Sequence, residues 1–330
     1  MRLVRATGWI LLLALLAGGC TRKAAVVVPP GGLKKIVLQT DWFPQAEHGG
    51  FYQALAKGFY REAGLDVEIL PGGPGATIKL SVAKGLADFG MYRSDDVIVA
   101  ASRGLPLIIV GAVLQHDPEA LLVRASSPVK TLADLNGRSV IAPPSMTWIP
   151  YVKQKYGIKF DLRPLNYGLA VFLADPEAIQ QCMMTSEPYF AEQRGVKVRT
   201  VPLADSGYDP YHSIICRREL VRNSPDVVRA FVAASIRGWR DYLEGDPAPA
   251  HALIQQRNSQ MSTGQLEYSR RALIVHALVT GDPAHGERIG RISLKRIQQQ
   301  IDVLTEMKIL EVPVTAASVA TRAFLPTSAR

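Results

Sequence analysis

The chain has 330 residues, of which 48% are apolar, so it is long enough to bury a sizeable core. Its formal charge of +9 comes from 38 basic residues interspersed with 29 acidic ones. Because no run of like charge concentrates the basic residues, the composition predicts a solvated surface and argues against a nucleic-acid partner. At ~150 residues per domain, the length favours about two domains.

The amino terminus carries the pattern of an export signal. Arg2 and Arg5 precede an apolar run at 9–16, and small residues then lead to Cys20. The run is shorter than the ~20 apolar residues that a spanning helix needs, so we predict a signal peptide at 1–19. The cysteine resembles that of a bacterial lipoprotein cleavage box, which implies lipid attachment at Cys20. A secreted protein cleaved elsewhere is the alternative.

Residues 20–32 contain Pro29-Pro30-Gly31-Gly32 and no periodic pattern, which predicts a flexible tether. Strand and helix patterns alternate after it, and this alternation predicts a mostly parallel sheet covered by helices. The first series of predicted elements comprises strand 34–38, helix 50–63, strand 66–70, helix 76–84, strand 88–92, helix 95–102 and strand 106–113.

A second series begins near residue 120. It comprises strand 121–124, helix 132–135, strand 138–142, helix 148–156, strand 163–167, helical pieces 170–174 and 178–183, and strand 196–201. From residue 225 onward the pattern is chiefly helical, with predicted helices at 227–244, 247–257, 263–278 and 293–307. Helices that follow an α/β unit must pack on a body already built, and we expect them to cover the first lobe.

The two series predict a two-lobe α/β protein. The chain crosses between the lobes near 115–118 and again near 208–213, which places lobe 1 at 33–117 and 213–330 and lobe 2 at 118–212. Such lobes enclose a cleft where the carboxyl ends of strands meet the amino ends of helices, and α/β sheets bind ligands there.

The segment after the first strand is the strongest candidate for a ligand site. Asp41 and Trp42 leave the carboxyl end of that strand, and His48 stands with Gly49 and Gly50 at the start of a helix. Trp42 would stack on a planar ring, Asp41 would accept hydrogen bonds, and the helix terminus would present N–H donors. The plainer interpretation is that Trp42 fills core and that His48 caps the helix.

Two further strand-to-helix junctions in lobe 1 supply candidates. Gly73 lies in a glycine-rich turn whose backbone would approach a ligand closely, although a tight connection explains it equally well. The next junction contains Tyr92, Arg93, Ser94 and Asp95. Ser94 or Asp95 also suits an N-cap, and Arg93 would favour an anionic group if it faces the cleft.

Lobe 2 contributes two polar segments at corresponding places. One carries Ser145 and Trp148 between a strand and a helix, and the other carries Glu187 and Tyr189 after a helical piece. Neither segment is specific by itself. We include them because each falls where a cleft between two lobes would be lined.

Enzymatic signals are weak. Cys182 and Cys216 lie far apart in the sequence and indicate two buried thiols, with one disulfide as the alternative. No cysteine and histidine spacing indicates zinc, and no nucleophile elbow, H-E-x-x-H motif or dinucleotide fingerprint occurs. We therefore predict no metal, no cofactor and no catalytic residue.

The best candidate segment belongs to a longer motif, which reads Asp41-Trp42-x-Pro44-x-x-x-His48-Gly49-Gly50-x-Tyr52. It resembles the opening of the type II solute-binding proteins of bacterial importers for thiamine pyrimidine precursors, a group that extends to nitrate, sulfonate and riboflavin binders. The likeness covers roughly 33–307 and continues through Ala87-Asp88-Phe89-Gly90, Gln180-Gln181 and Thr185-Ser186-Glu187-Pro188-Tyr189. It implies a Venus-flytrap fold and adds Tyr52 to the candidate site.

The resemblance also implies a function. The chain would be an exported monomer anchored through Cys20, in the periplasm or at the cell surface, that delivers a thiamine pyrimidine precursor to an ABC permease and its ATPase. One branch of the group makes the pyrimidine with an active-site histidine, here His48, and an iron-associated cysteine cluster. Residues 211–216 read Tyr-His-Ser-Ile-Ile-Cys where that cluster would fall, so we predict binding without catalysis. Nitrate, sulfonate or riboflavin binding, pyrimidine synthesis and a sensor role are the alternatives.

Overall fold

The computed structural model describes residues 32–327, so the predicted signal peptide, Cys20 and nearly all of the predicted tether lie outside the described residues. The strands of the described part are β1 (Lys34–Gln39), β2 (Leu65–Leu70), β3 (Phe89–Arg93), β4 (Leu107–Leu114), β5 (Glu119–Arg124), β6 (Ser139–Ile141), β7 (Asp161–Arg163), β8 (Ile179–Met183), β9 (Val198–Pro202) and β10 (His212–Arg217).

The helices of the described part are α1 (Gly49–Ala56), α2 (Phe59–Glu62), α3 (Ile78–Ala83), α4 (Ser94–Ser102), α5 (Trp148–Tyr156), α6 (Ala170–Ala174), α7 (Glu187–Gln193), α8 (Arg218–Asn223), α9 (Pro225–Glu244), α10 (Ala248–Arg257), α11 (Thr263–Val275), α12 (Leu294–Glu306) and α13 (Ala316–Val319). Short 3-10 helices occupy Ala46–His48, Leu132–Leu135, Leu203–Ser206 and Pro283–His285. Among residues 32–327, none of these helices is long and apolar enough to cross a bilayer.

These strands form two sheets, one per lobe, as the alternating sequence pattern predicts. Sheet 1 has the order β2-β1-β3-β10-β4, and sheet 2 has the order β7-β6-β8-β5-β9. The chain passes from sheet 1 to sheet 2 at 115–118 and returns at 203–211. We call the bodies built on these sheets lobe 1 and lobe 2, and the exact residue boundaries given above stay a prediction.

Both sheets are mixed, which corrects the expectation of mostly parallel pairing. In sheet 1, β1 is parallel to β2 and β3, whereas β10 runs antiparallel to β3 and β4. In sheet 2, β5 is antiparallel to both β8 and β9. The reason is the two crossings, since β5 and β10 enter their sheets from the other lobe and not through a covering helix.

Three predicted elements differ from the structure, and one strand was not predicted. The predicted helix 50–63 is two helices, α1 and α2, because Gly58 adopts a left-handed conformation with φ +76° between them. The piece 178–183 is the strand β8 and not a helix, a confusion to which short apolar runs are prone. The strand expected at 163–167 lies earlier, at β7, and β10 was not predicted at all.

The carboxyl-terminal helices pack on lobe 1, as predicted. Helix α9 lies against α1 and α2, and α12 lies against α4 and α13. The edge strand β4 is protected by isolated bridges from Ala112 to Gly290 and from Ile109 to Ala320. Helix α11 also touches lobe 2, since the Tyr268 hydroxyl donates to Met184 O at 3.5 Å.

A close approach of α1 and α9 holds the start of the candidate site against this helical layer. A Cβ atom added at Gly238 would lie 2.2 Å from the Gly50 carbonyl oxygen and 2.6 Å from the Ala54 Cβ. Only glycine fits at this crossing, because the opposing atoms belong to backbone and to a short side chain.

We expect Gly238→Ala to lower the free energy of unfolding by about 1–3 kcal/mol, because the added methyl group forces the two helices apart. The sign is informative, since glycine to alanine in a helix interior normally stabilises by ~1 kcal/mol. Chemical denaturation measures the difference. Gly168→Ala is the matched control, because its Cβ would meet only Asn166 Oδ1 at 3.6 Å. A Gly238→Ala protein as stable as the parent would contradict the packing.

Candidate functional site

The candidate site lies between the lobes, at the carboxyl ends of β1 and β3. Thr40 to Trp42 follow β1, and Arg93 ends β3 at the point where α4 begins. The first crossing and the start of β5 bring Asp117 and Glu119 to the same place. This is the position at which parallel strands of α/β sheets present side chains to ligands.

Asp41 is held between two histidines. Its Oδ1 atom lies 2.8 Å from His48 Nε2, and its Oδ2 atom lies 3.5 Å from His212 Nδ1. Burial would raise the pKa of Asp41, but the hydrogen bonds from His212 and His48 outweigh it and hold that pKa well below its usual range. The Asp41 side chain is 24% exposed, so it is an ionised acceptor with access to a ligand.

His212 connects Asp41 to the hinge. Its Nε2 atom lies 3.4 Å from Asp117 Oδ1, and its side chain is only 5% exposed. Burial disfavours the charged imidazole, yet the contacts with Asp117 and Asp41 outweigh burial and raise the pKa of His212 to about 10. His212 is therefore an imidazolium at neutral pH.

Arg93 contacts three carboxyl groups. The guanidinium lies 3.2 Å from Asp95 Oδ1, 2.9 Å from Asp117 Oδ2 and 2.5 Å from Glu119 Oε2. Burial raises the pKa of Glu119 to about 7, although the nearby charge of Arg93 lowers it in part. Because Arg93 is already surrounded by carboxylates, an anionic ligand would have to displace one of them.

Hydrogen bonds carry this network into lobe 2. Asp95 Oδ2 accepts from the hydroxyls of Thr147 and Tyr208, both at 2.6 Å. The Gln181 amide donates to Glu119 Oε1 at 3.3 Å and accepts from the Trp148 indole at 2.9 Å. The polar groups of the two lobes thus form one continuous system.

An aromatic pair closes the site on the outer side. The Trp42 ring lies 5.3 Å from the Tyr167 ring of lobe 2, with an interplanar angle of 43°, and packs edge-on against Phe43 at 5.7 Å. Phe43 in turn lies over Gly73, where a Cβ would approach its ring to 3.1 Å. Trp42 is therefore partly exposed at the junction of the lobes and is not a core residue.

The structure brings together some of the predicted site residues and separates others. Six of them surround the same place: Asp41, Trp42, His48, Tyr92, Arg93 and Asp95. At the edge of this site the Ser94 hydroxyl donates to Gln300 at 2.6 Å. Tyr52 and Trp148 are fully buried in the cores of lobes 1 and 2, whereas Ser145 is exposed. Whether any of these side chains touches a ligand stays a prediction.

The remaining lobe 2 candidates, Glu187 and Tyr189, lie in α7. Glu187 accepts from Met183 N at 2.8 Å, and burial raises its pKa to about 7. The Tyr189 ring packs on Tyr268 of α11, with ring centroids 5.5 Å apart. Both cysteines are buried free thiols, Cys182 in sheet 2 and Cys216 in sheet 1.

Three residues of the site were not predicted as site residues from the sequence: His212, Asp117 and Tyr167. His212 lies in β10, the strand that was not predicted, and Asp117 was seen only as part of a hinge. Tyr167 adopts φ +58°, which is uncommon for a non-glycine residue. A tyrosine next to Gly168 was the one available signal that a loop presents an aromatic ring there.

Two further observations concern the surroundings of the site: a nearby cavity and the question of a metal ion. A cavity of about 400 Å³ opens beside the hinge, lined by Tyr208, Asp209, Arg296 and Gln300 among others, and Trp42 and Asp41 do not line it. Within residues 32–327 no group of histidine, cysteine, aspartate or glutamate side chains has an arrangement suited to a metal ion.

This fold is that of the two-lobe periplasmic binding proteins. Over 89% of the chain it matches the alkanesulfonate-binding protein SsuA from Xanthomonas axonopodis pv. citri, with a TM-score of 0.62, 17% identity and all of that protein covered. The likeness confirms the predicted α/β architecture.

The chain belongs to the NMT1/THI5-like family, whose model matches residues 45–250. It is 24% identical to the formylaminopyrimidine-binding protein of Halalkalibacterium halodurans, over 68% of this chain and 72% of that one. It is 26% identical to the riboflavin-binding protein RibY of Chloroflexus aurantiacus, over 73% and 71%. It is also 26% identical to the Saccharomyces cerevisiae 4-amino-5-hydroxymethyl-2-methylpyrimidine phosphate synthase THI11, over 66% and 69%. The predicted family is thus confirmed, and it includes both binding proteins and synthases by name.

His212 supplies a pH-dependent part of the stability. Its folded pKa of about 10 exceeds the ordinary value of 6.5, so its contribution is complete below pH 6.5 and is lost as pH rises towards 10. We expect the difference in unfolding free energy between the parent and His212→Gln to shrink by more than about 1.4 kcal/mol across that interval. Denaturant titrations at pH 6 and pH 10 measure it.

The control for this experiment is His285→Gln, which alters a histidine whose side chain is 80% exposed in an ion pair with Asp282. A surface pair of this kind contributes little, so the difference between this variant and the parent should stay nearly constant with pH. A His212→Gln difference that is constant or grows with pH would show that the imidazole is not held in its charged form.

Proposed function

We propose that the chain is the solute-binding component of an ABC-type importer, which captures a small planar polar solute between its lobes and delivers it to a membrane permease. The observation that best supports this proposal is the ionised Asp41 carboxylate beside the partly exposed Trp42 ring. Tyr167 faces the Trp42 ring from the other lobe. Export with lipid attachment at Cys20 completes the proposal, because a tethered binding protein must meet its permease at the membrane.

The geometry favours a flat ligand. The ring centroids of Trp42 and Tyr167 are 5.3 Å apart, which is a distance of direct contact between two aromatic rings, so no third ring fits between them. A ring therefore enters only when the lobes separate. Opening and reclosing about the two crossings is the motion that two-lobe binding proteins use to trap a solute.

The charges favour a ligand rich in hydrogen-bond donors. Asp41 is ionised and accepts, while the two cations of the site, Arg93 and His212, already face carboxylates. An amino-substituted heterocycle satisfies Asp41 and stacks on Trp42, as a thiamine pyrimidine precursor would. The name of the formylaminopyrimidine-binding relative supports the same class.

The predicted alternatives are a riboflavin ligand, a sulfonate or nitrate ligand, and pyrimidine synthesis. Riboflavin has a flat ring system that suits the aromatic pair, and the RibY relative supports it. A sulfonate or nitrate ligand is less favoured, because Arg93 is occupied. Pyrimidine synthesis, which the THI11 relative performs by name, would need chemistry beyond the binding geometry described above, so we propose binding without turnover.

A ligand panel tests the class of solute. We expect formylaminopyrimidine or a related aminopyrimidine to raise the melting temperature, since a ligand at 100 times its Kd stabilises the folded state by ~2.7 kcal/mol. Sulfonates and nitrate should give no shift at equal concentration. Stabilisation by sulfonate alone would reject the role given to Asp41, and no shift with any pyrimidine, flavin, sulfonate or nitrate would remove the support for transport.

Substitution of Trp42 tests the position of the site. We expect Trp42→Ala to weaken binding of the ligand found in the panel by at least about tenfold, because the stacking surface is lost. Calorimetric titration gives the Kd. Phe190→Ala is the matched control, since this ring is 40% exposed on α7 and lies edge-on to Tyr189. Normal binding by Trp42→Ala would place the pocket elsewhere.

A further inference from the structure

Two threonine hydroxyls of lobe 2 hydrogen-bond to buried acids of lobe 1. Thr147 donates to Asp95 Oδ2 at 2.6 Å, and Thr185 donates to Glu47 Oε1. Asp95 is 1% exposed and Glu47 is 3% exposed. Because donor and acceptor belong to different lobes, separation of the lobes would break both hydrogen bonds, and Glu47 would then gain access to water.

The two acids differ in the charges that face them. Asp95 has the Arg93 guanidinium at 3.2 Å, and the hydroxyls of Thr147 and Tyr208 both donate to it. These partners offset burial and hold the pKa of Asp95 at about 2. Asp95 is therefore ionised whether the lobes are closed or open.

No comparable set of partners offsets the burial of the Glu47 carboxyl group. Among the ion pairs of residues 32–327, none joins Glu47 to a lysine or an arginine. The titratable groups around it are His48 on its own element, Asp41 after β1, Glu187 of lobe 2 and Tyr242 of α9. Burial raises the pKa of Glu47 above its usual range, and the Thr185 hydrogen bond and the nearby His48 offset this only in part.

The partner of Glu47 is rigidly held. Thr185 is fully buried, and its carbonyl oxygen accepts from the Ser269 hydroxyl of α11 at 2.6 Å. The hydroxyl that meets Glu47 is thus positioned by lobe 2 and by the carboxyl-terminal layer together. A hydroxyl is a poor substitute for water around a full negative charge, so the closed contact suits a neutral carboxyl group.

We propose that closure of the two lobes is coupled to the uptake of one proton by Glu47, so that acid favours the closed form that retains the ligand. This rests on the proposed function, in which the space between the lobes is the binding site. In the open form Glu47 is hydrated and ionised at neutral pH. On closing, its carboxylate takes a proton from solvent, and no other covalent bond changes.

The sign of the effect follows from linkage. The closed form binds the proton more tightly than the open form, so closure becomes less favourable as pH rises above the ordinary glutamate pKa of about 4.3. Uptake of one proton changes the ratio of closed to open molecules by up to about tenfold per pH unit. The dependence ends above the pKa of Glu47 in the closed form, where both forms are ionised.

The coupling is measured first without ligand. Spin labels at Arg61→Cys on lobe 1 and Lys130→Cys on lobe 2 occupy exposed positions, whereas Cys182 and Cys216 are buried and do not react. The protein carries Cys20→Ser. We expect the distance distribution to shift towards the longer, open separation between pH 5 and pH 8.5. A distribution that does not change with pH overturns the proposal.

Two variants isolate Glu47. Glu47→Gln keeps an acceptor for Thr185 and removes the charge, so we expect it to be as closed at pH 8.5 as the parent is at pH 5. Thr147→Val is the matched control, because it removes another hydrogen bond between the lobes, at an acid that stays ionised. It should favour the open form equally at each pH and retain the parent's slope. A Glu47→Gln protein with the parent's slope assigns the proton to another group and overturns the proposal.

A ligand titration forms the second arm. With formylaminopyrimidine as the probe, the Kd of the parent should rise by up to about tenfold per pH unit, and that of Glu47→Gln should stay constant. Failure of this probe to bind counts against the proposed ligand. It does not affect the label distances, which are recorded without it and decide the coupling by themselves.

Discussion

The burial of three carboxylates around one guanidinium is the constraint on which the site depends. Arg93 is almost completely enclosed, and oxygens of Asp95, Asp117 and Glu119 lie 2.5–3.2 Å from it. Removal of the cation from such a cluster costs ~3–5 kcal/mol, because it leaves uncompensated buried charge. Asp117 belongs to the first crossing and Glu119 begins β5, so the cluster joins the lobes at their hinge. Any motion between the lobes must therefore turn about Arg93 and leave this cluster intact.

The same cluster determines which groups remain free for a ligand. Arg93 is used internally, and His212 is shared between Asp41 and Asp117, so neither cation is available to bind an anion. Asp41 stays ionised because two histidines hold it, and its partial exposure leaves one acceptor at the side of the Trp42 ring. The buried polar cluster thus lies at the hinge, whereas the aromatic ring of Trp42 lies on the outer side of the cleft. That division suits capture of a donor-bearing ring.

How much of this was visible in the sequence depends on the range of each interaction. Asp41 and Trp42 follow a strand directly, so local pattern was sufficient to predict their place. Trp148 begins its helix at the cleft, but the indole turns into the core of lobe 2, where it donates to Gln181, and the local sequence does not show that direction. His212 was missed because β10 returns from the other lobe and pairs antiparallel, which no local period reveals. Tyr167 reaches Trp42 only through the position of one lobe against the other.

The acids of the site show why their chemistry could not be assigned from residue type. Asp95 and Asp96 are neighbours at the start of α4, yet the pKa of Asp95 is about 2 and that of Asp96 is about 6. Burial raises the pKa of both acids. Arg93 and two hydroxyls face Asp95 and lower its pKa again, whereas the charge of Asp95 raises the pKa of Asp96 further. The largest lowering effects on the pKa of Asp95 come from Arg93, two residues away, and the hydroxyls of Thr147 and Tyr208 from lobe 2 add to them. The pKa values of acids between the lobes therefore depend in part on the contact between the lobes, which residue type alone does not reveal.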